Sequence, residues 1–311
     1  MPGVRHRFRR YRPEVPELPE VETVRRRLAP ALEGRRFERV EISDPRLTRP
    51  FEPFEVAREL EGERVTLVDR RGKYLIVRFE SGRALLIHLR MTGSLRHTGD
   101  GELADDPHRR AVVKLDDGSA VAYRDVRRFG TWLLLEPADV DGYIDARVGR
   151  EPLDDAYKAK HLAEQLEHRR APIKAVLLDQ RTVAGVGNIY ADEALWRAKV
   201  HPLRAANELT SDEVKAVYKG VRASLQAGVR RQGSTLRDYR LPDGSSGSAQ
   251  DEFKVYGRAG LPCDRCGTPI DKIRVAGRGT WYCPACQRAG GAYAASRSSR
   301  RPSRSRRQSS V

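Results

Sequence analysis

Long apolar runs are missing from this chain. Nowhere in its 311 residues do 18 apolar residues follow one another, so no membrane-spanning helix is expected. A secretory apolar stretch is missing too: residues 1–12 are basic, but no hydrophobic segment follows them, which points to a cytoplasmic protein. Cysteine is scarce, with four residues all lying between Cys263 and Cys286. In a reducing compartment that clustering argues for a metal and against a disulfide framework. Acid is short relative to base, 43 Asp and Glu against 59 Lys and Arg, giving a formal net charge of +16 and a pI near 10.0. Such a balance favours a polyanionic partner, most simply nucleic acid. Part of the excess is terminal: Arg5, Arg7, Arg9, Arg10 and Arg12 at one end, and Arg297, Arg300, Arg301, Arg304, Arg306 and Arg307 at the other. Removing these arginines together with Glu14 still leaves about +6, so the body of the chain is basic as well.

What is present divides the chain into blocks. Residues 16–30 read as a helix, with Leu18, Val21, Val24 and Leu28 at helical spacing and Pro19 in the first turn. Short β-like runs follow at 64–69, 74–80, 84–89, 111–115, 120–124 and 131–135, separated by turn residues such as Gly72, Gly82, Gly118 and Gly130. They predict an antiparallel sandwich or barrel-like domain spanning 16–136 together with the first helix. Residues 158–230 read mostly as helices with a glycine break at 184–187, inside a domain of 150–250. Residues 243–248 read as a flexible polar loop. A cysteine module covers 251–288, and the Ser/Arg-rich stretch 289–311 has the composition of a disordered tail. The expected class is α+β and multidomain.

Three stretches carry chemistry. Cys263-x-x-Cys266 and Cys283-x-x-Cys286, sixteen residues apart, have the spacing of a zinc ribbon. Four thiolates leave no open coordination position, so one structural Zn2+ is expected. The stretch from Asp179 to Leu195 reads as helix, tight turn, helix. Gly185 and Gly187 would let backbone amides approach a phosphate, and Asn188 would cap the following helix and donate to the same anion. Pro16-Glu17-Leu18-Pro19-Glu20-Val21-Glu22 places a proline beside a carboxylic acid. A proline at a free N-terminus is a secondary amine that forms an iminium with a sugar aldehyde carbon, and Glu17 would supply the accompanying proton transfer.

The stretch Pro16 to Glu22 resembles the mature N-terminus of bacterial formamidopyrimidine-DNA glycosylases, the 8-oxoguanine repair enzymes. The resemblance continues, in order, through Arg70-Arg71-Gly72-Lys73-Tyr74, His88-Leu89-Arg90-Met91-Thr92-Gly93, Asp125-Val126-Arg127-Arg128-Phe129-Gly130, Val183-Ala184-Gly185-Val186-Gly187-Asn188-Ile189-Tyr190 and the cysteine ribbon, from about 16 to 288. In that family the exposed proline is the nucleophile. The resemblance therefore implies that the native start lies at Val15 and that residues 1–14 are a gene-model artefact. It implies Pro16, Glu17, Lys73 and Arg278 as catalytic residues, with Lys73 and Arg278 gripping phosphates during elimination. It implies His108, Arg169, Lys174 and Asn188 as contacts to the DNA backbone. Met91, Arg127 and Phe129 would fill the hole left by an extruded base.

Two departures stand in these blocks: Arg90 replaces a common glycine and Val126 a common proline, and both are expected to change loop stiffness only. The implied protein is a monomeric bifunctional glycosylase and lyase acting on oxidised purines in double-stranded DNA, in the cytoplasm with the bacterial nucleoid. The alternatives are an endonuclease VIII-like enzyme for oxidised pyrimidines, against which Leu18 speaks, and a non-catalytic DNA-binding protein if Pro16 stays within a peptide bond. A zinc-ribbon binding module of nucleic-acid metabolism would leave Pro16 and Glu17 unexplained.

Overall fold

The computed structural model describes residues 15–288; the expected extension 1–14 and tail 289–311 lie outside the described residues. Helix α1 (Leu18–Leu32) forms where expected. Its apolar positions recur on one side, and Pro19 occupies the first turn, where no backbone N–H is needed. The following strands are β1 (Phe37–Ile42), β2 (Val65–Arg71), β3 (Tyr74–Phe79), β4 (Ala84–His88), β5 (Gly93–Thr98), β6 (Arg109–Leu115), β7 (Ala120–Asp125) and β8 (Thr131–Leu135), with helix α2 (Pro53–Leu60) after β1. They make two four-stranded antiparallel sheets, ordered β1-β6-β7-β5 and β2-β3-β4-β8. The sandwich is thus the fold read from the sequence. Strands β1 and β5 were not read: β1 buries only Phe37 and Val40 and β5 only Gly93 and Leu95, so neither carries a continuous apolar run. Its core holds Phe37, Val68, Leu75, Leu85, Val113, Tyr123 and Trp132, and α1 lays Val21, Val24 and Leu28 onto it.

Register levels the strand ends at one end of this sandwich. Tyr74 pairs with His88 and His88 with Thr131, so three neighbouring strands of one sheet are level at that end. In the other sheet Gly93 pairs with Asp125. Lys73, Met91, Arg127 and Phe129 lie in the connections just beyond these pairs.

The second half is helical: α3 (Val140–Asp145), α4 (Ala159–Leu166), α5 (Ile173–Leu178), α6 (Asn188–Ala198) and α7 (Ser211–Arg230). The longest of them, α7, starts on a reciprocal cap between Thr210 and Glu213. A two-stranded ribbon, β9 (Asp271–Val275) and β10 (Arg278–Tyr282), packs Trp281 against Tyr256 at 4.5 Å and so joins the helical core.

Two features tie the halves together. Leu18 of α1 belongs to the helical core, although the next turns of the same helix belong to the sandwich. The segment read as a flexible loop is anchored at its base: Tyr239 and Leu241 are buried in the sandwich core, and His97 N donates to Pro242 O at 3.1 Å. Exposure is confined to residues 243–246. A tyrosine and a leucine flanking the polar run override its composition by burying apolar surface.

Candidate active site

The N-terminal stretch is seated on the two-glycine turn. Leu18 N donates to Gly185 O at 3.0 Å. The Glu17 carboxylate, 1% exposed, accepts from the amides of Gly187 (2.7 Å), Ile189 (2.8 Å) and Tyr190 (3.3 Å) at the start of α6. The glycines make this contact possible. A Cβ on Gly185, whose φ is +77°, would fall 2.5 Å from Leu18 Cβ, and one on Gly187 would fall 2.3 Å from Glu17 Cδ. The expectation that both glycine amides meet a phosphate is corrected: the Gly187 amide is taken by Glu17, and the Gly185 amide donates to Gln180 Oε1 at 3.0 Å. Helix N-terminal amides attract any negative charge, and an intramolecular carboxylate fills the role here. Asn188 does not cap the helix either. Gly187 is the cap residue, and Asn188 Nδ2 donates to Gly279 O at 3.1 Å, across to the ribbon.

Beneath this seat lies a second acid. Glu20 accepts from Glu17 N (3.0 Å), Tyr190 OH (2.9 Å), Ser234 N (2.7 Å) and Ser234 Oγ (3.0 Å). Burial pushes its carboxyl above the usual range, against the pull of these donors.

The Lys73 turn comes up against the same point. A Cβ on Gly72 would lie 3.5 Å from Gly185 N. Behind it His88, edge-on to Tyr74 with centroids 4.9 Å apart, is held at about 3 by burial, with Arg90 and Lys73 adding to the effect, and is therefore neutral. Arg90 has φ +53°. That left-handed conformation explains why glycine suits the position, so the replacement costs backbone strain rather than merely altering stiffness.

The expected hole-filling trio is assembled. Arg127 Nη1 donates to Met91 Sδ at 3.0 Å, and its guanidinium lies 4.8 Å from the centre of the Phe129 ring. Phe129 is 50% exposed, an aromatic edge held in solvent. Buried Asp125 closes the loop by accepting from Thr92 Oγ1, Arg127 N (3.2 Å) and Gly130 N (2.8 Å). His108 adjoins it, its carbonyl accepting from Asp125 N at 3.0 Å.

The ribbon contributes Arg278, exposed at the start of β10. The neighbouring backbone is fixed by three groups. Lys174 Nζ donates to Gly279 O (3.2 Å) and Thr280 Oγ1 (2.7 Å), Asn188 donates to Gly279 O, and Trp281 N donates to Asp192 Oδ2 (3.0 Å). Lys174 is 0% exposed and paired with Asp192 at 2.8 Å. It is therefore a buried strut, and the expectation that it touches the DNA backbone is corrected. Arg169, by contrast, is exposed, 3.6 Å from Asp179.

The four cysteine sulfurs lie within 4.8 Å of one another, with Cys266 Sγ 3.5 Å from both Cys283 Sγ and Cys286 Sγ. Tetrahedral thiolates around zinc, at about 2.3 Å each, stand about 3.8 Å apart, so the donor set fits that ion. Trp196 Nε1 donates to Cys263 Sγ at 3.4 Å, the kind of outer bond that orients a ligand. Zinc here supplies folding free energy to the ribbon that carries Arg278.

Comparison with known proteins agrees with this geometry. The formamidopyrimidine-DNA glycosylase N-terminal domain matches residues 15–132, the helix–two-turn–helix domain of the same enzymes 148–240, and the zinc finger found in these glycosylases and isoleucyl-tRNA synthetases 260–289. The formamidopyrimidine-DNA glycosylase of Roseiflexus sp. is 46% identical over 270 residues, covering 86% of this chain and 98% of the relative. That of Streptococcus mutans is 42% identical over 271 residues, with the same coverage. Among solved structures, a Lactococcus lactis enzyme variant bound to Fapy-dG-containing DNA is 39% identical, with a TM-score of 0.82 over 88% of this chain and all of that one. The chain belongs to the formamidopyrimidine-DNA glycosylase family. It is a DNA glycosylase of base excision repair, with zinc as its cofactor.

Several residues important to this glycosylase's geometry escaped the sequence reading. Glu193 accepts from the amides of Lys254, Val255 and Tyr256, at 2.9, 2.9 and 3.0 Å from one oxygen, and so fixes the segment entering the ribbon. Together with Asp192 it forms a buried acid pair in the middle of α6. That pair was the available signal of a buried cation. Glu20, Arg70 and Glu151 gave no local signal.

Proposed function

We propose that this chain excises oxidised purines from double-stranded DNA and then cuts the strand, with Pro16 as nucleophile. The observation that carries the reading is the seating of Pro16 and Glu17 on the Gly185–Tyr190 turn, beside the turn that presents Lys73. The damaged nucleotide must leave the stack, at a cost of roughly a few kcal/mol, before any protein atom reaches C1′. Met91, Arg127 and Phe129 offset that cost by occupying the vacated space. The Pro16 nitrogen then bonds to C1′ as the bond from C1′ to the base breaks. The departing base takes up a proton; the proline nitrogen loses its own, and Glu17, held by three N–H donors, serves proton transfer to O4′ as the C1′–O4′ bond breaks, which opens the sugar ring and leaves an iminium between the Pro16 nitrogen and C1′. The iminium acidifies the C2′ proton, whose removal expels the 3′ phosphate; a second elimination expels the 5′ phosphate. Lys73 and Arg278 hold these phosphates, while His108, Arg169 and Asn188 hold the flanking backbone.

The domains follow the roles: a catalytic sandwich at 16–136, a DNA-binding helical unit at 150–250 and a zinc ribbon at 251–288. The protein acts as a cytoplasmic monomer. The chemistry needs Pro16 as a free amine, because an amide nitrogen has no nucleophilic lone pair. In support, the N-terminal family match starts at residue 15. The test is borohydride trapping on an 8-oxoguanine·cytosine duplex, using the full chain beside protein beginning at Pro16. A covalent complex from the shorter form alone is expected. Trapping by neither form on this duplex, but by the shorter form on thymine glycol DNA, would move the substrate to oxidised pyrimidines. No trapping on either would refute the nucleophile.

A further inference from the structure

One guanidinium holds the Lys73 turn from three directions. Arg70 donates Nε to Glu22 Oε2 at 3.1 Å, Nη1 to Glu151 Oε1 at 3.0 Å and to Gly72 O at 2.9 Å, and Nη2 to Glu151 Oε2 at 2.8 Å. Gly72 N donates back to Glu151 Oε1. Both polar backbone groups of the residue preceding Lys73 are thereby engaged. The turn is also sterically confined, with φ +57° at Gly72 and space for a Cβ only 3.0 Å from Val148 Cγ1. Glu22 belongs to α1, the helix that begins beside Pro16. Glu151 belongs to the segment entering the helical half. Three separate parts of the chain therefore meet at Arg70, whose side chain is 10% exposed.

Stability alone is a poor reason for this arrangement. Buried ion pairs often gain little over well-packed apolar groups, because desolvation offsets their attraction. A stabilising pair would also not need to engage the turn's own N–H and C=O. Arginine and a carboxylate in two-pronged contact fix direction as well as distance.

We propose that Arg70 and Glu151 are positioning residues for strand cleavage, acting through Lys73 by fixing its ammonium relative to Pro16. This rests on the reading of Lys73 as the phosphate-gripping residue of elimination. Arg70→Lys keeps the charge but loses the fork; Glu151→Gln keeps the shape but loses the charge. A displacement of order 1 Å at a reacting centre costs up to about 100-fold in rate.

The experiment uses a duplex with a preformed abasic site, so that base release does not enter, and the protein form that traps with borohydride. Single-turnover strand cleavage is measured for Arg70→Lys, Glu151→Gln, Lys73→Ala and each double variant with Lys73→Ala. Arg70→Lys and Glu151→Gln are each expected to slow cleavage roughly 10- to 100-fold, with abasic-DNA affinity within about threefold of the parent. In the Lys73→Ala background, Arg70→Lys and Glu151→Gln should add less than about twofold, because their effect passes through the missing ammonium. Full-sized additive losses would overturn the positioning role while leaving Lys73 in place. A silent Lys73→Ala would overturn the reading of Lys73, and the proposal with it. Glu151→Gln guards against a folding defect in Arg70→Lys, since it preserves volume and keeps one acceptor oxygen for Gly72 N and Arg70 Nη1.

Discussion

Replacing Gly187 by alanine tests whether the carboxylate of Glu17 works from its seat on α6. The backbone permits the change, since φ −128° and ψ −157° are open to any residue. Space does not permit it: the new methyl would lie 2.3 Å from Glu17 Cδ and 2.5 Å from Glu17 Oε1. Ordinary contact begins near 3.4 Å, so the carboxylate must move by about 1 Å. Its bonds to Gly187 N and Ile189 N, now 2.7 and 2.8 Å, would then exceed hydrogen-bonding length. Hydrogen bonds to a charged group are worth about 1.5–3 kcal/mol each, so losing two costs roughly 3–6 kcal/mol. The melting temperature should fall by roughly 6–24 °C. Base release should fall by at least about 100-fold if Glu17 serves proton transfer, with affinity for undamaged DNA unchanged.

The control is the same substitution in a Glu17→Ala background. With no carboxylate to displace, Gly187→Ala should cost only the ordinary penalty of alanine at a helix cap, about 1 kcal/mol. Calorimetry gives the stabilities, and single-turnover excision on 8-oxoguanine DNA gives the rates. An equal loss of stability in both backgrounds, or a Gly187→Ala enzyme with parental excision, would refute the reasoning.

Two further outcomes follow from buried charges. Lys174→Met leaves Asp192 without its cation in a site 0% exposed, where burial already lifts that carboxyl to about 6 against the pull of Lys174; stability should drop by about 3–5 kcal/mol in urea titration, with the salt slope of DNA binding unchanged. A slope reduced by about one with stability intact would restore Lys174 as a phosphate contact. Burial works against ionised Glu22, but hydrogen bonds and charge from Arg25 and Arg26, with Arg70, outweigh it and hold the carboxyl near 2. The unfolded chain therefore binds the extra proton between the ordinary value of 4.5 and about 2, and the contribution of Glu22, fully present above that window, is lost as pH falls through it. The whole shift corresponds to roughly 3 kcal/mol, and screening by water around the exposed Arg26 leaves about 1–2 kcal/mol. The stability gap between parent and Glu22→Gln should thus shrink from pH 6 to pH 3, and a constant gap would contradict this account.

The legible parts of the molecule were those encoded locally. The periodicity from Leu18 to Leu28 gave α1, short β-like runs between turn residues gave six of the sandwich strands, and cysteine spacing gave the ribbon whose sulfurs converge. The trio Met91, Arg127 and Phe129 was legible through resemblance, and register brings it together because Tyr74, His88 and Thr131 are level across one sheet. Errors arose where a side chain's partner lies far along the chain. Lys174 was read, through the resemblance, as a contact to the DNA backbone; its partner Thr280 is 106 residues away. Arg70 and Glu151 are 81 residues apart, and no spacing rule links them.

The glycine turn shows why such an error can be half right. From the sequence, Gly185 and Gly187 say only that backbone amides are laid bare at a helix start and that something must approach closely. A phosphate and a carboxylate satisfy that demand equally, because both are anions with planar or tetrahedral oxygens seeking N–H donors. What decides between them is Leu18, which enters the helical core while Val21 enters the sandwich core. Once α1 is shared in this way, Glu17 has one place to go, onto Gly187, and Pro16 is carried with it. Pro16, the nucleophile we propose, is therefore held by both halves of the protein at once. A change in either half that shifts α1 should reach the reacting nitrogen without any contact to DNA.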